Sequence, residues 1–295
     1  LRWYFGIDEA GSRTITGQCA KLAVQTAAAL GGLEPVLLYY GRPTDFTAWM
    51  ARQGVQVIAT EPRFLAAIRA AEAAGTYRPH SIGHWLRLEI PLIERDHEFV
   101  LYTDCDVMFL RGVDWRTIRP RNLAAAPEMS LRNWRYFNGG VLVLNVAAMR
   151  ASYEALEAMV CAGIARPLSY NYDDQVVLNE FYAGQWDRLD PLLNWKPYWG
   201  HDRRAAILHF HGPKLDMIEA LTEGRWGRGS PHEVFLANML EASADAYIAW
   251  FNTLGDSLQS IDVSAALRFH RVASALVRHR PNIPAGVDRS FMTQA

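Results

Sequence analysis

Strand-length apolar runs alternate with longer amphipathic stretches through the first two-thirds of the chain, and this alternation constrains the fold more than any other feature. Residues 3–7, 36–40, 55–58 and 99–103 have the length and content of strands. Between them, 14–30, 45–52 and 62–74 carry helical spacing, the last with Pro62 near its start and Gly75 just past its end. The resulting βαβαβαβ order predicts an α/β sheet with helices on its faces. Residues 141–145 and 206–210 read as two further buried strands, and 147–163 and 174–182 as helices. After about residue 215 helical stretches are separated by Gly- and Ser-containing breaks and no strand pattern remains. A catalytic or binding domain over 1–215 and a helical C-terminal extension over 216–295 are therefore expected.

The totals narrow the partners. Half of the 295 residues are apolar, enough for a sizeable core, and 30 basic against 31 acidic residues give no field that would gather nucleic acid. The three cysteines, Cys19, Cys105 and Cys161, follow no zinc or disulfide spacing, which suits a reducing, cytoplasmic setting. No apolar run is long enough to span a bilayer, and the N-terminus does not read as a secretion signal.

Four segments are polar where an α/β core would be apolar. Asp104 and Asp106 follow the apolar run 99–103; in an extended chain they point the same way and could converge on one hard cation at the carboxyl end of a central strand. The competing reading is a solvated strand end. A second run, 206–214, ends in His209, His211, Gly212 and Lys214, offering a metal ligand, a close backbone approach and a cation for a diphosphate. Spacing alone does not separate His209 from His211. Asn138, Gly139 and Gly140 precede the strand at 141–145, where adjacent glycines admit a ligand or simply make a tight turn. Asp173 and Asp174 open a helix, where one acid suits an N-cap and the other the helix dipole, an account that leaves Gln175 unexplained.

Taken in this order, the segments resemble glycosyltransferase family 8, the retaining group that includes glycogenin and bacterial lipopolysaccharide galactosyl- and glucosyltransferases. VLYTDCDV at 100–107 is similar to that family's strand and Asp-x-Asp motif, YFNGGVLVLN at 136–145 to its donor-sugar wall, DQVVLN at 174–179 to its Asp-Gln segment, and HFHGPK at 209–214 to its metal histidine and diphosphate lysine. The resemblance implies a GT-A type mixed sheet flanked by helices and a hexose transfer from a UDP-sugar to a glycan or glycolipid acceptor. It implies Asp104, Asp106 and His209 as ligands of Mn²⁺ (or Mg²⁺), with Asp104 also facing the donor. Asp8, Arg87, Asn138, Gly139, Gly212 and Lys214 become donor contacts, and Asp174 and Gln175 catalytic residues. HFHGPK is one residue shorter than the family's spacing, Leu215-Asp216 stands where Pro-Trp is usual, and Val176 replaces a common acid. A nucleotidyltransferase acting on sugar phosphates would want a Gly-rich phosphate loop after the first strand, but residues 9–13 read EAGSR. An inactive sugar-binding protein is the non-enzymatic alternative. The stretch 264–281 carries Arg268, Arg271, Arg278 and Arg280 and no acid, which suits either a surface helix packed on the core or a helix touching an anionic membrane.

Overall fold

The computed structural model describes residues 1–77, 79, 81–166, 172–226 and 229–279. Its first strand, β1 (Arg2–Asp8), is buried on both sides: Trp3, Phe5 and Ile7 enter one core and Tyr4 the other. That two-sided burial is why the strand reads as a nearly continuous apolar run. The same division holds along β2 (Glu34–Tyr40), β4 (Phe99–Thr103) and β7 (Phe137–Asn145), where Leu37, Leu101 and Val143 face one side and Leu38, Val100 and Leu142 the other. With β3 (Gln56–Ala59), β6 (Leu123–Pro127) and β8 (Asp187–Arg188) they form a seven-stranded sheet in the order β3-β2-β1-β4-β7-β6-β8. Strands β3, β2, β1 and β4 run parallel, and β7 is antiparallel to both β4 and β6. A second, two-stranded sheet pairs β5 (Val107–Phe109) with β9 (Ile207–His209).

Helices α1 (Glu9–Ser12), α2 (Ile15–Leu30), α3 (Asp45–Arg52) and α4 (Leu65–Ala73) alternate with the first three strands. The expected single passage from α4 to β4 instead contains two further short helices, α5 (Ile82–Trp85) and α6 (Ile90–Ile93), joined by a 3-10 turn at Leu86–Glu89 that carries Arg87. The helix expected over 147–163 is two, α7 (Val146–Ala151) and α8 (Tyr153–Ile164). They break at Ser152, whose hydroxyl turns back onto the carbonyls of Ala148 and Met149. The strand expected at 206–210 is real but belongs to the small sheet, because β5 leaves the main sheet after Asp106 and takes β9 as partner.

After α9 (Asp174–Phe181) and β9, the described chain continues through α10 (Leu215–Thr222), α11 (Pro231–Ala242), α12 (Ala244–Leu258) and α13 (Val263–His279). These cover the small sheet: Met108, Leu208 and Phe210 pack with Phe251, Leu254 and Phe269. On α13, Phe269, Val272 and Leu276 are buried, whereas Val263 and Val277 are exposed. Arg268 and Arg271 both turn onto Glu219 of α10, and Arg268 also reaches Gln18 of α2. Two of the four arginines are thus engaged in holding the helix to the protein; Arg280 lies outside the described residues.

Candidate active site

Asp104 and Asp106 sit in the link between β4 and β5, held open by backbone bonds on both sides: Asp104 N–H donates to Gly140 O at 2.8 Å, and Asp106 O accepts from Phe210 N–H at 2.8 Å. Between them Cys105 points into the core and donates to Gly6 O, so the flanking carboxylates face the other way, as alternation demands. There they meet the last residue of β9. His209 Nε2 lies 3.4 Å from Asp106 Oδ1 and 3.8 Å from Asp104 Oδ2. Ligand atoms of Asp104, Asp106 and His209 all fall within 4.8 Å of one another. The His211 ring lies 5.7 Å from that of His209 but turns its Nε2 to Glu128 Oε1 at 2.9 Å, so the fold gives different partners to two imidazoles that sequence spacing could not tell apart.

A chain of hydrogen bonds fixes the tautomer of His209. Gly140 N–H, which can only donate, gives its hydrogen to Asn138 Oδ1 at 3.0 Å, so the Asn138 amide turns its Nδ2 toward Glu128. Asn194 Nδ2 donates to the same Asn138 oxygen at 3.0 Å, which leaves Asn194 Oδ1 to accept from His209 Nδ1 at 2.9 Å. Nε2 then carries a lone pair aimed between two carboxylates. Burial pushes the imidazole below its ordinary value, against the pull of Asp106, and so keeps it neutral. Burial alone would raise both acids. Lys214 beside Asp106 and Arg87 beside Asp104 hold them below the usual carboxylate range. Two anions and a neutral imidazole with its proton on the far nitrogen make a donor set that fits a divalent cation. An ion pair between Lys214 and Asp106 supplies part of that positive charge.

The opposite side of Asp104 is closed by Arg87. Its guanidinium donates to Asp104 Oδ1 at 2.8 Å and to Gly139 O, pairs with Asp174 Oδ2 at 2.5 Å, and lies 4.4 Å above the Tyr102 ring. Asp174 is almost fully buried, and burial pushes its carboxyl up to about 6 despite Arg87. One helix position on, Gln175 Oε1 accepts from Gly139 N–H at 2.7 Å, and Asn179 of the same helix exchanges bonds with both backbone groups of Phe137. This stitching places β7 so close that a methyl on Gly139 would come 2.6 Å from Arg87 Nη1, and one on Gly140 2.0 Å from His209 Cε1. The paired glycines are therefore a close-packing requirement of the site.

Asp8 and Gly212 stand apart from this cluster. Asp8 caps α1 and accepts from Gly11 N–H at 2.7 Å and Ser81 Oγ at 2.6 Å. Burial opposes these bonds, but together they lower its carboxyl below the ordinary value. It lines an open cleft of about 720 Å³ with Tyr39, Tyr40, Arg42 and Arg69, at the carboxyl ends of the parallel strands. Gly212, at φ +90°, packs against Met239 Sδ and borders a 400 Å³ cavity with Lys214, Trp226 and His232.

Three polar residues beside the cluster carry no sequence signal. Glu128 joins His211 to Asn138; Asn194 orients His209; and Lys196, with no exposed surface, donates to Pro127 O at 2.7 Å over the Trp199 ring. Burial lowers the Lys196 ammonium to about 7. Glu128 is held near 2 by His211 and Lys196, which outweigh its burial.

A seven-stranded mixed sheet flanked by helices, with a polar cluster at the carboxyl end of β4, is the GT-A fold. Solved structures share it. The galactosyltransferase LgtC, in complex with donor and acceptor sugar analogues, is similar over 83% of this chain and 96% of its own, with TM-score 0.54 and 18% identity. The glycosyltransferase GlyE of Streptococcus pneumoniae TIGR4 is similar over 85% of this chain and 64% of its own, with TM-score 0.54 and 18% identity. The bifunctional glycosyltransferase WbbM covers 80% and 51%, with TM-score 0.51 and 14% identity. At these identities the likeness is one of fold. No protein-family model and no curated protein sequence matches the chain.

Proposed function

We propose that this chain is a retaining, metal-dependent glycosyltransferase of the family 8 kind, moving a hexose from a uridine diphosphate sugar to a hydroxyl of a glycan or glycolipid. The observation that carries the proposal is the convergence of Asp104, Asp106 and the lone pair of His209 Nε2. Those three would hold Mn²⁺, an imidazole nitrogen tilting the choice away from Mg²⁺. When bound, the ion supplies positive charge against the leaving diphosphate.

The chain's own residues have the following parts on this reading. Lys214 adds a second positive charge for the diphosphate, and Asp8 borders the cleft assigned to the nucleoside. Asp174, paired with Arg87, accepts from donor-sugar hydroxyls, while Arg87 keeps it ionised and Gly139 and Asn138 form the sugar wall. Gln175 offers an amide, a poor nucleophile, near the anomeric carbon. Retention is then a same-face displacement in which the departing diphosphate oxygen takes the acceptor proton. Residues 1–215 form the catalytic unit and 216–295 an extension, helical where it is described, in α10 to α13. Any membrane contact by that extension would use the exposed Val263, Leu267 and Val277 of α13, since Arg268 and Arg271 serve Glu219. No helix among the described residues is long and apolar enough to cross a membrane.

A screen of nucleotide sugars for thermal stabilisation with and without Mn²⁺ tests the proposal, because a ligand of the folded state alone raises Tm. A uridine diphosphate hexose should raise it and be slowly hydrolysed. Indifference to all uridine diphosphate sugars, with or without the ion, would sink it. From an α-linked donor, NMR of the product should show an α linkage; a β linkage contradicts the retaining assignment and the roles of Asp174 and Gln175.

A further inference from the structure

Outside the cluster, the link from β6 to β7 forms an arch over residues 129–135. Its feet are closed by Glu128 N–H, which donates to Tyr136 O at 3.2 Å. Both feet adjoin the site: Glu128 Oε2 accepts from Asn138 Nδ2, and Tyr136 leads directly into Phe137 and Asn138 of β7. Within the arch, Asn133 N–H donates to Ser130 O at 3.0 Å and Arg135 N–H to Asn133 Oδ1 at 3.1 Å, which fixes the turn. Arg132 and Arg135 are exposed on it, with Trp134 between them in the chain. Arg188 of β8, also exposed, lies 4.7 Å from the Trp134 ring. That ring is stacked at 6.1 Å on Trp186, which in turn meets Phe137 at 5.1 Å. A pile of side chains thus runs from an exposed guanidinium to the strand that walls the site.

These three arginines are uncommitted. Among the described residues none of their guanidinium groups forms an ion pair or a hydrogen bond, and Arg188 has only its ring contact. The neighbouring acids are turned elsewhere: Glu128 to His211, Asp187 to Arg121 and Asp190 to Leu192 N–H. Asp173 caps α9 through Val176 N–H, and Glu180 of that helix pairs with none of the three. In a chain of formal charge -1, this leaves a local excess of positive charge at the rim of the site. All three cations are arginine, whose planar fork suits two oxygens of one carboxylate or phosphate, and a guanidinium already stacked on a ring loses less freedom when it binds. We propose that the arch reads a negatively charged acceptor: a glycan whose reacting hydroxyl enters the site while a carboxylate or phosphate of the same glycan rests on Arg132, Arg135 and Arg188. The proposal rests on the transferase reading and names the acceptor class for it.

Calorimetric titration of the full chain tests it, with trigalacturonate against its neutral methyl ester and glucose 6-phosphate against glucose, after Mn²⁺-uridine diphosphate has been titrated into the same samples. The charged member of at least one pair should bind about 10-fold more tightly, the gain of a few exposed charge pairs, and the margin should shrink in high salt. The pair that shows it identifies the anion as carboxylate or phosphate. Arg132→Glu combined with Arg135→Glu should erase the preference and leave uridine diphosphate binding unchanged; Arg188→Lys, which keeps the charge and loses the planar fork, should reduce it in part. Equal binding within both pairs, or a preference that survives the double charge reversal, overturns the proposal. Phosphatidylglycerol vesicles that hold the natural chain but not the doubly reversed one, with no preference in either sugar pair, overturn it in favour of a membrane surface. Uridine diphosphate binding without a charge preference defeats the acidic acceptor and spares the transferase; a charge preference without uridine diphosphate binding does the reverse.

Discussion

The two sides of Asp104 are built on opposite principles. Toward Arg87 one guanidinium is shared by Asp104, Asp174 and the Gly139 carbonyl over an aromatic face. Toward His209 electron pairs are in surplus, because the hydrogen-bond relay from Gly140 through Asn138 and Asn194 puts the imidazole proton on the far nitrogen. The first side is finished and rigid, suited to holding neutral hydroxyls in register. The second combines Lys214 with an open imidazole lone pair between two carboxylates, suited to a cation and a diphosphate. Strand β7 belongs to both, with Gly139 against Arg87 and Gly140 against His209.

Breaking that shared strand should have the largest effect. Gly140→Ala drives a methyl to 2.0 Å from the His209 ring. It should cost about 1–3 kcal/mol of stability, as overpacking does, and abolish metal-dependent donor turnover. Removing a member of the finished side should hurt less: Asp174→Ala leaves Arg87 with Asp104 alone and should slow turnover by more than about 100-fold, about 2.7 kcal/mol, through lost donor positioning. Gln175→Ala removes a dipole and no bond-forming group, so a loss of about 10- to 100-fold is expected. Steady-state kinetics orders the three.

The smallest effect on turnover is expected behind the site, at Lys196. Its pKa of about 7 in the folded chain lies below the ordinary lysine value of about 10.4, so between those values the unfolded chain binds more protons. Stability should therefore rise with pH from about 7 to about 10. Lys196→Met should flatten that rise, and urea melts at pH 7 and 9 would read the difference as about 2–3 kcal/mol. Equal slopes in both proteins would contradict the burial argument.

What could be read from sequence follows from how local each signal is. Strands β1, β2 and β4 were legible because both faces are buried, and Asp104 and Asp106 because their spacing of two is itself the geometry. Strand β6 was not, since Ala124, Ala125 and Ala126 have no strand preference of their own and are held by β7 and β8. Nor were Glu128, Asn194 and Lys196, whose partners lie far off in the chain: Asn194 meets Asn138 across 56 positions, and Lys196 meets Pro127 across 69. His209 and His211 share a spacing of two just as the acids do, but β9 ends at His209, so alternation no longer governs His211.

The surplus of electron pairs at His209 is the centre of this account, and Mn²⁺ binding measures it directly. Titration of Mn²⁺ by electron paramagnetic resonance, in the presence of uridine diphosphate, should give one ion per chain for the natural sequence. Asp106→Asn and His209→Ala should each lose it while keeping the far-ultraviolet circular dichroism of the fold. Asn194→Ala, which touches no ion but frees the imidazole tautomer, should weaken it by about 10- to 100-fold. Undiminished Mn²⁺ binding by Asp106→Asn or His209→Ala, or full donor turnover in chelator, would contradict the account.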